Sequence, residues 1–392
     1  MDFGLDHEQQ MLIDTVRDFI GKELQPLEEE VEETGVLAPE KARAIFEKSR
    51  QLGLYAMNIS EEFGGGGLSA VNTMLVEEQF GHTTDILIRR AFGNVYEVLL
   101  ACLGPQVERW LLPTVRGERT CSIAFTEPGA GSDAAGIKTR ARARPDGEGW
   151  LLSGNKHFVS DGMVSDFFVV TAVTDPEKKG KGISMFLVDK DAPGVTVDRD
   201  QPMMGLRGTS HVGLFFDDVA LSRENLLGEQ DKGLGMALKV LGRVRLAQVG
   251  ARAVGKATHV LEMMVDQARD RHQFGQPLGD FQLVQQMIAD SVIEINAARL
   301  MVLRAAWEID QGRDARDWIA MVKVQAAETL GRVVDRAVQV FGGMGYCKEL
   351  TIERYYRDAR IYRIFDGASE IHRSVLARSA QRSGAGLFDI GR

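Results

Sequence analysis

The sequence predicts an α+β protein in which a β-domain lies between two helical domains. Apolar residues recur at helical spacing in the first 120 residues, short β-rich runs separated by turn signals follow, and helical spacing then returns. We therefore expect an N-terminal helical domain (1–120), a central β-barrel or β-sandwich domain (121–230) and a C-terminal domain like a four-helix bundle (231–392).

The N-terminal domain is predicted from helical patterns in residues 5–20, 41–54 and 70–115. Four consecutive glycines, residues 64–67, separate the second pattern from the third. Glycine loses much backbone entropy inside a helix, so this stretch is expected to be a loop. A phosphate-binding role is disfavoured, because no strand precedes the glycines and no Lys-Ser/Thr pair follows them.

The β-domain is predicted from apolar, β-branched runs such as 166–173 and 183–188, which turn signals such as Asp146-Gly147 separate. Beyond Gly228 the helical period returns in three long amphipathic stretches, 235–270, 281–311 and 318–341. Their length and number are typical of a helical bundle.

Composition excludes several functional classes. The chain of 392 residues has 47 Lys and Arg against 56 Asp and Glu, and this net charge of −9 gives no general attraction to nucleic acid or anionic membranes. The three cysteines are far apart and show no metal-binding spacing, which suits a reducing compartment. The acidic start, residues 1–6, resembles neither a secretory signal nor a transit peptide, and no apolar run approaches 18 residues. We expect a soluble cytoplasmic protein without a bound metal.

The segment 364–373 carries the first chemical signal. Asp366 and Gly367 lie at a bend between two helical patterns, where a carboxylate can act as a base and a glycine lets a ligand approach the backbone. From these residues alone an ordinary Asp-Gly turn between helices is the favoured interpretation.

Three further segments carry signals that are not decisive when each is taken alone. Residues 125–133 leave a strand and enter a turn in which Gly129 and Gly131 offer backbone N–H groups to phosphate oxygens, although a plain turn is equally consistent. Residues 271–282 contain an arginine suited to phosphate, although a solvated linker is favoured. In residues 339–346, helix termination at Gly342 accounts for the glycines.

Taken together, the four segments resemble the acyl-CoA dehydrogenase family. The motifs are Thr-Glu-Pro-Gly-Ala-Gly-Ser-Asp (126–133), Arg-x-x-Phe-Gly-x-x-Leu-x-x-x-Gln (271–282), Gln-x-Phe-Gly-Gly-Met-Gly-Tyr (339–346) and the block 354–370. They occur in the order and at the spacing of that family, and the resemblance covers essentially the whole chain. The helical–β–helical pattern read from periodicity agrees with the family's fold.

The resemblance implies an FAD site between the β-domain and the C-terminal bundle, completed by a neighbouring subunit of a homotetramer. It places these residues at the cofactor: Phe125, Thr126, Gly131, Ser132, Phe158, Val159, Ser160, Arg271, Phe274, Gln282, Gln339, Gly342, Gly343, Ala368, Ser369 and Glu370. It places Ser132, Arg243 and Gly367 at the acyl-CoA substrate.

The sequence departs from the family at several of these positions. Asp366 stands where most members carry the catalytic glutamate, and the alternative position of that glutamate in some members is Gly242 here, so Asp366 is the remaining candidate. Phe158 replaces a frequent tryptophan and loses its indole donor, and Ala368 replaces a frequent threonine. Val240 replaces a frequent acidic residue, which puts the contacts near Arg243 in doubt.

The implied reaction is α,β-dehydrogenation of an acyl-CoA thioester to the 2-enoyl-CoA. Asp366 would remove the α-proton, flavin N5 would take the β-hydride, and electron-transferring flavoprotein would accept the electrons. Two alternatives stay open: a flavin oxidase on the same scaffold, acting on acyl-CoA or nitroalkanes, and a non-catalytic binding protein.

The family also implies an acyl pocket walled in part by the first domain, where Phe92, Val95, Tyr96 and Leu99 are the candidates. Arg89 and Arg90 are unusually polar for that neighbourhood, and we expect them to form a solvated pair.

Overall fold

The computed structural model describes residues 4–93, 95–384 and 386. The first three residues of the acidic N-terminal stretch therefore lie outside the described residues. Along the described chain, helices are followed by a β-sheet and then by a second set of helices, so the predicted α+β fold class is confirmed.

The N-terminal helices surround a core of their own. They are α1 (His7–Phe19), α2 (Glu28–Thr34), α3 (Pro39–Gln51), α4 (Ala70–Gln79), α5 (Asp85–Phe92) and α6 (Leu112–Val115). Helix α1 begins where the Asp6 carboxylate accepts the backbone N–H of Gln9 and the Gln9 side chain accepts that of Asp6, a capping box. The glycine-rich stretch is a loop, and a Cβ on Gly65 would lie 2.2 Å from the carbonyl oxygen of Ile59. Gly65 therefore serves close backbone packing.

The sheet contains β1 (Cys121–Ala124), β2 (Arg140–Ala143), β3 (Trp150–Ser160), β4 (Phe167–Val173), β5 (Ile183–Asp189), β6 (Val195–Asp200), β7 (His211–Leu221) and β8 (Leu226–Leu227). The strand order is β6-β7-β3-β2-β4-β5-β8, and β1 pairs in parallel with β4.

Both faces of the central strands are covered. Phe167 and Val169 of β4 pack in the core shared with the N-terminal helices, whereas Phe168 and Val170 pack in the inner core with Leu214 of β7. Alternate side chains of one strand thus enter two cores, which explains why β4 reads as a continuous apolar run.

The C-terminal helices are α7 (Gly233–Val244), α8 (Arg252–Asp270), α9 (Gln282–Asp310), α10 (Arg316–Phe341), α11 (Thr351–Arg360) and α12 (Ser369–Ser383). A π-helical segment, Arg245–Ala251, joins α7 to α8, and α10 packs against α8, α9, α11 and α12. Between α8 and α9 the chain forms a ribbon of β9 (His272–Gln273) and β10 (Gln276–Pro277), which the sequence pattern did not predict.

Helix α8 approaches the end of α4 at backbone contact. A Cβ on Gly255 would lie 1.7 Å from the carbonyl oxygen of Glu78, so a side chain there would separate the two elements. Beside this contact Arg252 pairs with Glu77 at 2.7 Å, and both side chains are largely buried. The first domain is thereby fixed against the bundle, and the candidate site lies where they meet the loop before α12.

Among the described helices, none has an apolar stretch long enough to cross a lipid bilayer.

Candidate active site

Asp366 occupies a tight bend between the 3₁₀ turn Ile361–Arg363 and α12. Its φ is +52° and that of Gly367 is +89°, so two successive residues adopt the left-handed conformation. For a non-glycine residue this costs about 1 kcal/mol, and aspartate tolerates it better than most. A Cβ on Gly367 would lie 2.8 Å from Nε2 of His372, which explains the glycine. Asp366 is half-buried in this bend.

The peptide of Asp366 is held from two sides. Arg245, in the π-helical segment, donates from Nε to the carbonyl oxygen of Asp366, and Nε2 of His372 lies 3.3 Å from the same oxygen. The carboxylate itself has no hydrogen-bond partner among the residues that the structure describes. The backbone is therefore fixed while the carboxylate stays available to a ligand.

The surroundings of this carboxylate change its acidity. Burial raises the pKa of Asp366, and the positive charges of Arg245, Lys323 and Arg89 oppose that rise without cancelling it. Burial also lowers the pKa of His372 to about 4, so its imidazole is neutral near pH 7. A carboxylate with a raised pKa is a stronger base than one in water.

Lys323 is the most unusual of these neighbours. Its side chain is completely buried, and its Nζ has no hydrogen-bond partner among the described residues. Burial lowers its pKa to about 8, although the charge of Asp366 works in the opposite direction. A buried lysine without a partner is rare, because the cost of removing its charge from water is not offset by a contact.

A cavity of about 100 Å³ lies between the first domain and the bundle. Its lining includes Phe92, Val95 and Tyr96, in agreement with the expected acyl pocket, whereas Leu99 is fully buried in the core shared with the β-domain. Apolar residues make up most of this lining, and besides those three they are Met57, Leu68, Ala70, Met74, Phe80, Ile88, Val240, Val244, Leu246, Ala247 and Ile309.

Arg243, expected at the substrate, also lines this cavity and pairs with Glu97 at 3.1 Å. Burial raises the pKa of Glu97, and Arg243 counteracts that rise. The acidic partner of Arg243 thus comes from the first domain and not from position 240 on its own helix. Arg243 makes no recorded contact with Asp366 in the described chain.

The expectation of a solvated Arg89–Arg90 pair is wrong. Both guanidinium groups bind the buried carboxylate of Asp161, at 3.2 Å and 2.8 Å, and their side chains are only 10% and 22% exposed. The carboxylate that makes this burial possible lies 72 positions away from Arg89 in the sequence, so the local pattern could not reveal it.

The turn after β1 is fixed by Glu127. Its carboxylate accepts the backbone N–H groups of Lys138 and Thr139 and the ammonium of Lys156, at 2.6 to 3.0 Å. Cβ atoms placed on Gly129 and Gly131 would meet nothing within 4 Å. Glu127 thus fixes one side of the turn, and the side with Gly129 and Gly131 is open, which suits a phosphate-bearing ligand.

The end of β3 lies beside this turn. The backbone N–H of His157 donates to the carbonyl oxygen of Thr126 at 2.8 Å, which brings Thr126 and Phe125 close to Phe158. Phe158 has a φ of +55° and is 52% exposed, and its ring makes a T-shaped contact with the His157 ring, with centroids 4.0 Å apart. Val159 instead lies in the inner core of the sheet, and only its backbone could meet a ligand. Ser160 is half buried and Ser132 exposed.

The remaining predicted cofactor residues form two exposed groups and one group of mixed burial. Arg271, Phe274 and Gln282 lie on the ribbon and at the start of α9, where Phe274 is 94% exposed. The second exposed group, at the end of α10, comprises Gln339, Gly342 and Gly343.

The third group lies at the start of α12. Ala368 caps the helix, the Ser369 hydroxyl is buried without a partner in the described part of the chain, and Glu370 is exposed. No recorded hydrogen bond or ion pair between described residues joins this group to the turn after β1 or to the ribbon.

Arg245, Lys323 and His372 were not singled out from the sequence. A signal existed for Lys323, since the helical period places it on the buried face of α10 with Ile319 and Ala327. For Arg245 no local signal exists, because its contact with Asp366 spans 121 positions.

Models of three acyl-CoA dehydrogenase domains match the chain: the N-terminal domain over residues 6–118, the middle domain over 122–219 and the C-terminal domain over 231–381. The mitochondrial short-chain specific acyl-CoA dehydrogenase of Rattus norvegicus is 36% identical over 383 residues, covering 97% of this chain and 91% of the relative. The caffeyl-CoA reductase–Etf complex subunit of Acetobacterium woodii is 34% identical over 381 residues, covering 94% and 97%.

Solved structures are similar over the same length. Butyryl-CoA dehydrogenase from Megasphaera elsdenii superposes with a TM-score of 0.89 at 32% identity, covering 97% of this chain and all of the other. An FAD complex of PigA superposes with a TM-score of 0.90 at 27% identity, covering 98% and 100%.

Proposed function

Because this chain belongs to the acyl-CoA dehydrogenase family, we propose that Asp366 is the base that removes the α-proton of an acyl-CoA thioester. The protein is an FAD-dependent oxidoreductase acting on CH–CH bonds, and acyl-CoA dehydrogenation is the general reaction of its family. The identity of the base, the residues at the cofactor and the acyl group are the specific parts of the proposal.

The observation that carries this proposal is the state of the Asp366 carboxylate. It is half buried, its pKa is raised, and no described residue donates a hydrogen bond to it. A carboxylate that served only to hold the bend would accept backbone N–H groups, as Glu127 does in the turn after β1. Asp366 instead keeps its lone pairs free for a proton.

The same bend can polarise the substrate. No described residue accepts a hydrogen bond from the backbone N–H of Asp366, so this donor is available to the thioester oxygen. A donor aimed at the oxygen on which negative charge develops lowers the barrier to α-proton removal. Arg245 and His372 fix that peptide through its carbonyl group, and they therefore act as positioning residues.

The residues present fit FAD. The open Gly129–Gly131 turn suits its diphosphate, the exposed ring of Phe158 offers a stacking face, and the unpartnered Ser369 hydroxyl offers a polar contact. We assign Phe125, Thr126, Ser132, Val159 and Ser160 to the same subunit's share of the site. When bound, FAD supplies the acceptor for the β-hydride.

We propose that a neighbouring subunit covers the ribbon and the end of α10. Phe274 is 94% exposed and Tyr346 is 87% exposed, and a second subunit would bury such aromatic surface. A homotetramer is the assembly we expect, and light scattering of the FAD-loaded protein tests it. A monomer would contradict the assignment of Arg271, Phe274 and Gln282 to a shared site.

We propose a short acyl group as substrate. A cavity of roughly 150 Å³ accommodates a molecule the size of benzene, and the cavity lined by Tyr96 and Val244 is smaller, at about 100 Å³. Asp366 is also shorter than the family's glutamate by one methylene, about 1.5 Å of reach, so the α-carbon must come closer to the backbone. A panel of straight, branched and cyclic acyl-CoA thioesters identifies the acyl group. Reaction restricted to long chains would contradict this part.

Electron-transferring flavoprotein is the proposed electron acceptor, since one relative is a subunit of a reductase–Etf complex. Rapid reoxidation of the reduced enzyme by this protein and slow reoxidation by air are the expected results. Stoichiometric hydrogen peroxide at the turnover rate would identify an oxidase instead.

The test of the base is Asp366→Asn in FAD-loaded protein. Removing a general base costs roughly 10²- to 10⁴-fold in rate, so anaerobic loss of flavin absorbance on mixing with a reactive acyl-CoA should slow by that factor. Asp366→Glu is the matched variant, which retains the carboxylate and changes its reach. Unchanged bleaching by Asp366→Asn would rule out this residue as the base.

A further inference from the structure

A cluster of three metal-ligating side chains lies at the junction of the first domain and the bundle, among residues that the proposed reaction does not use. His82 ends the 3₁₀ turn that follows α4, and His259 and Glu262 lie one turn apart on α8. One nitrogen of each histidine and one carboxylate oxygen lie within 4.8 Å of one another.

The two imidazoles face each other closely. Their ring centroids are 4.8 Å apart, and Nδ1 of His259 lies 3.6 Å from a carboxylate oxygen of Glu262. In a tetrahedral zinc site two ligand atoms are separated by about 3.3 Å, since each lies about 2.0 Å from the metal. The His259–Glu262 pair is thus nearly at that separation, and the separations that involve His82 are at most 4.8 Å, so they need to shorten by no more than about 1.5 Å.

The surroundings favour a fixed arrangement of these ligands. The ring of Tyr355 packs edge-on against His259, with centroids 5.5 Å apart. The carbonyl oxygen of His82 accepts a hydrogen bond from the Gln25 side chain at 3.0 Å. His82 is half-buried beside His259, and a neutral imidazole offers a metal ion one nitrogen lone pair.

We propose that His82, His259 and Glu262 bind a transition-metal ion such as Zn²⁺, which ties the end of α4 to α8. Two imidazoles and one carboxylate suit zinc and its neighbours in the first transition series, whereas Mg²⁺ and Ca²⁺ prefer sites made of oxygen atoms. Three protein ligands leave one position for water.

Two positive charges lie close to the cluster and limit its affinity. Both Arg17 and Lys256 act on His82. Arg17 donates to the neutral side chain of Gln79 at 2.7 Å, and Lys256 is paired with Asp85 at 3.5 Å. The charge of Lys256 is therefore offset. The charge of Arg17 partly neutralises the carboxylate of Glu262 and so weakens its attraction for a metal cation. We expect micromolar affinity, weaker than in structural zinc sites made of cysteine.

The test uses untagged, FAD-loaded protein that has been dialysed against a chelator. Titration with Co²⁺ should give the visible absorption of a low-coordinate site, at one equivalent per chain, and Zn²⁺ should displace it. His259→Ala should weaken binding at least tenfold. Glu262→Gln tests the same site without a risk to folding, since the Glu262 side chain is 59% exposed.

The control variant is His7→Ala, which removes an exposed histidine outside the cluster. It should bind Co²⁺ as the unmodified protein does, and all variants should keep their FAD content and circular dichroism. Zn²⁺ should also raise the thermal midpoint of the unmodified protein but not that of His259→Ala, because only the folded site binds. Binding that survives both His259→Ala and Glu262→Gln, or no binding below millimolar Co²⁺, would overturn the proposal.

Discussion

Two aspartates in the same protein, Asp85 and Asp366, show how contacts decide the use of a carboxylate. Asp85 is buried and Asp366 is half-buried, and Arg89 acts electrostatically on both. Burial by itself would raise the pKa of Asp85, but the charges of Lys256 at 3.5 Å and Arg252 at 3.9 Å lower this pKa below its usual value. For Asp366 burial prevails and the pKa is raised, since no ion-pair partner lies within 4.0 Å in the described chain.

The two carboxylates therefore differ in role: that of Asp85 stabilises the fold, and that of Asp366 is available for chemistry. Asp85 neutralises cations at the junction of α5 and α8, so it stabilises the fold only while it is ionised. Asp366 is held through its carbonyl group by Arg245, and its carboxylate is left unpaired. Ionisation of Asp366 therefore costs folding free energy, and we interpret this cost as the basis of its reactivity.

The largest expected effect comes from replacing each aspartate by asparagine in a separate variant. Asp85→Asn leaves Lys256 without its anionic partner, and breaking a buried ion pair in this way costs about 3–5 kcal/mol. Asp366→Asn should keep or raise the stability, because the amide resembles the protonated acid that burial favours. Thermal midpoints of the two FAD-loaded variants, compared with the unmodified protein, measure the contrast. Equal losses would show that the two carboxylates have the same structural role.

The sign of the pH effect follows from the same comparison. The pKa of Asp85 is lowered in the folded state, so its stabilisation is present at neutral pH and is lost as pH falls through that pKa. The pKa of Asp366 is raised, so its contribution to stability improves as pH falls. Activity should nevertheless decrease as Asp366 becomes protonated. As pH falls through the pKa of Asp366, its contribution to stability should therefore improve while activity is lost.

A smaller effect is expected from Arg245→Lys, which keeps the charge but loses the directed bond from Nε to the carbonyl oxygen of Asp366. A hydrogen bond from a charged group contributes about 1.5–3 kcal/mol, so the rate of flavin reduction should fall by roughly tenfold or more. The pH at which activity rises should stay nearly constant, because the positive charge is retained. A shifted pH profile with an unchanged maximal rate would show that Arg245 acts through its charge.

The smallest effect is expected from Lys323→Met. The charge of Lys323 lowers the pKa of Asp366, so its removal should raise that pKa and move the rise of activity to higher pH. The protein should remain as stable, because replacing an unpaired buried charge by an apolar side chain of similar size removes a desolvation cost. Lys256→Met is the matched control, since that lysine is equally buried but paired with Asp85. It should lower the thermal midpoint and leave the pH profile unchanged.

The succession of helices, sheet and helices was predictable from the sequence, because periods of 3.6 and 2 record which faces are buried. The ribbon between α8 and α9 was not, since two strands of two residues are too short to show a period. For the candidate site, Asp366 could be identified only from motifs in register, because an Asp-Gly turn alone indicates no chemistry.

The partners of the site could not be predicted, for a physical reason. Arg89 is buried because Asp161 neutralises it, and Arg245 reaches Asp366 across 121 positions. Such pairs form through the tertiary fold, and a local pattern of residues carries no record of them. The expectation that Arg89 is solvated was wrong because its partner, Asp161, is distant in the sequence.

Exchange of the substrate α-proton with solvent tests the role of Asp366 most directly, since it reports on the base without hydride transfer. FAD-loaded protein and its Asp366→Asn variant would be incubated in D₂O with a thioester whose β-carbon carries no hydrogen, and deuterium at the α-carbon would be followed by NMR. We predict rapid exchange by the unmodified protein and exchange at the uncatalysed rate by the variant. Equal exchange by both proteins would show that another group removes the proton.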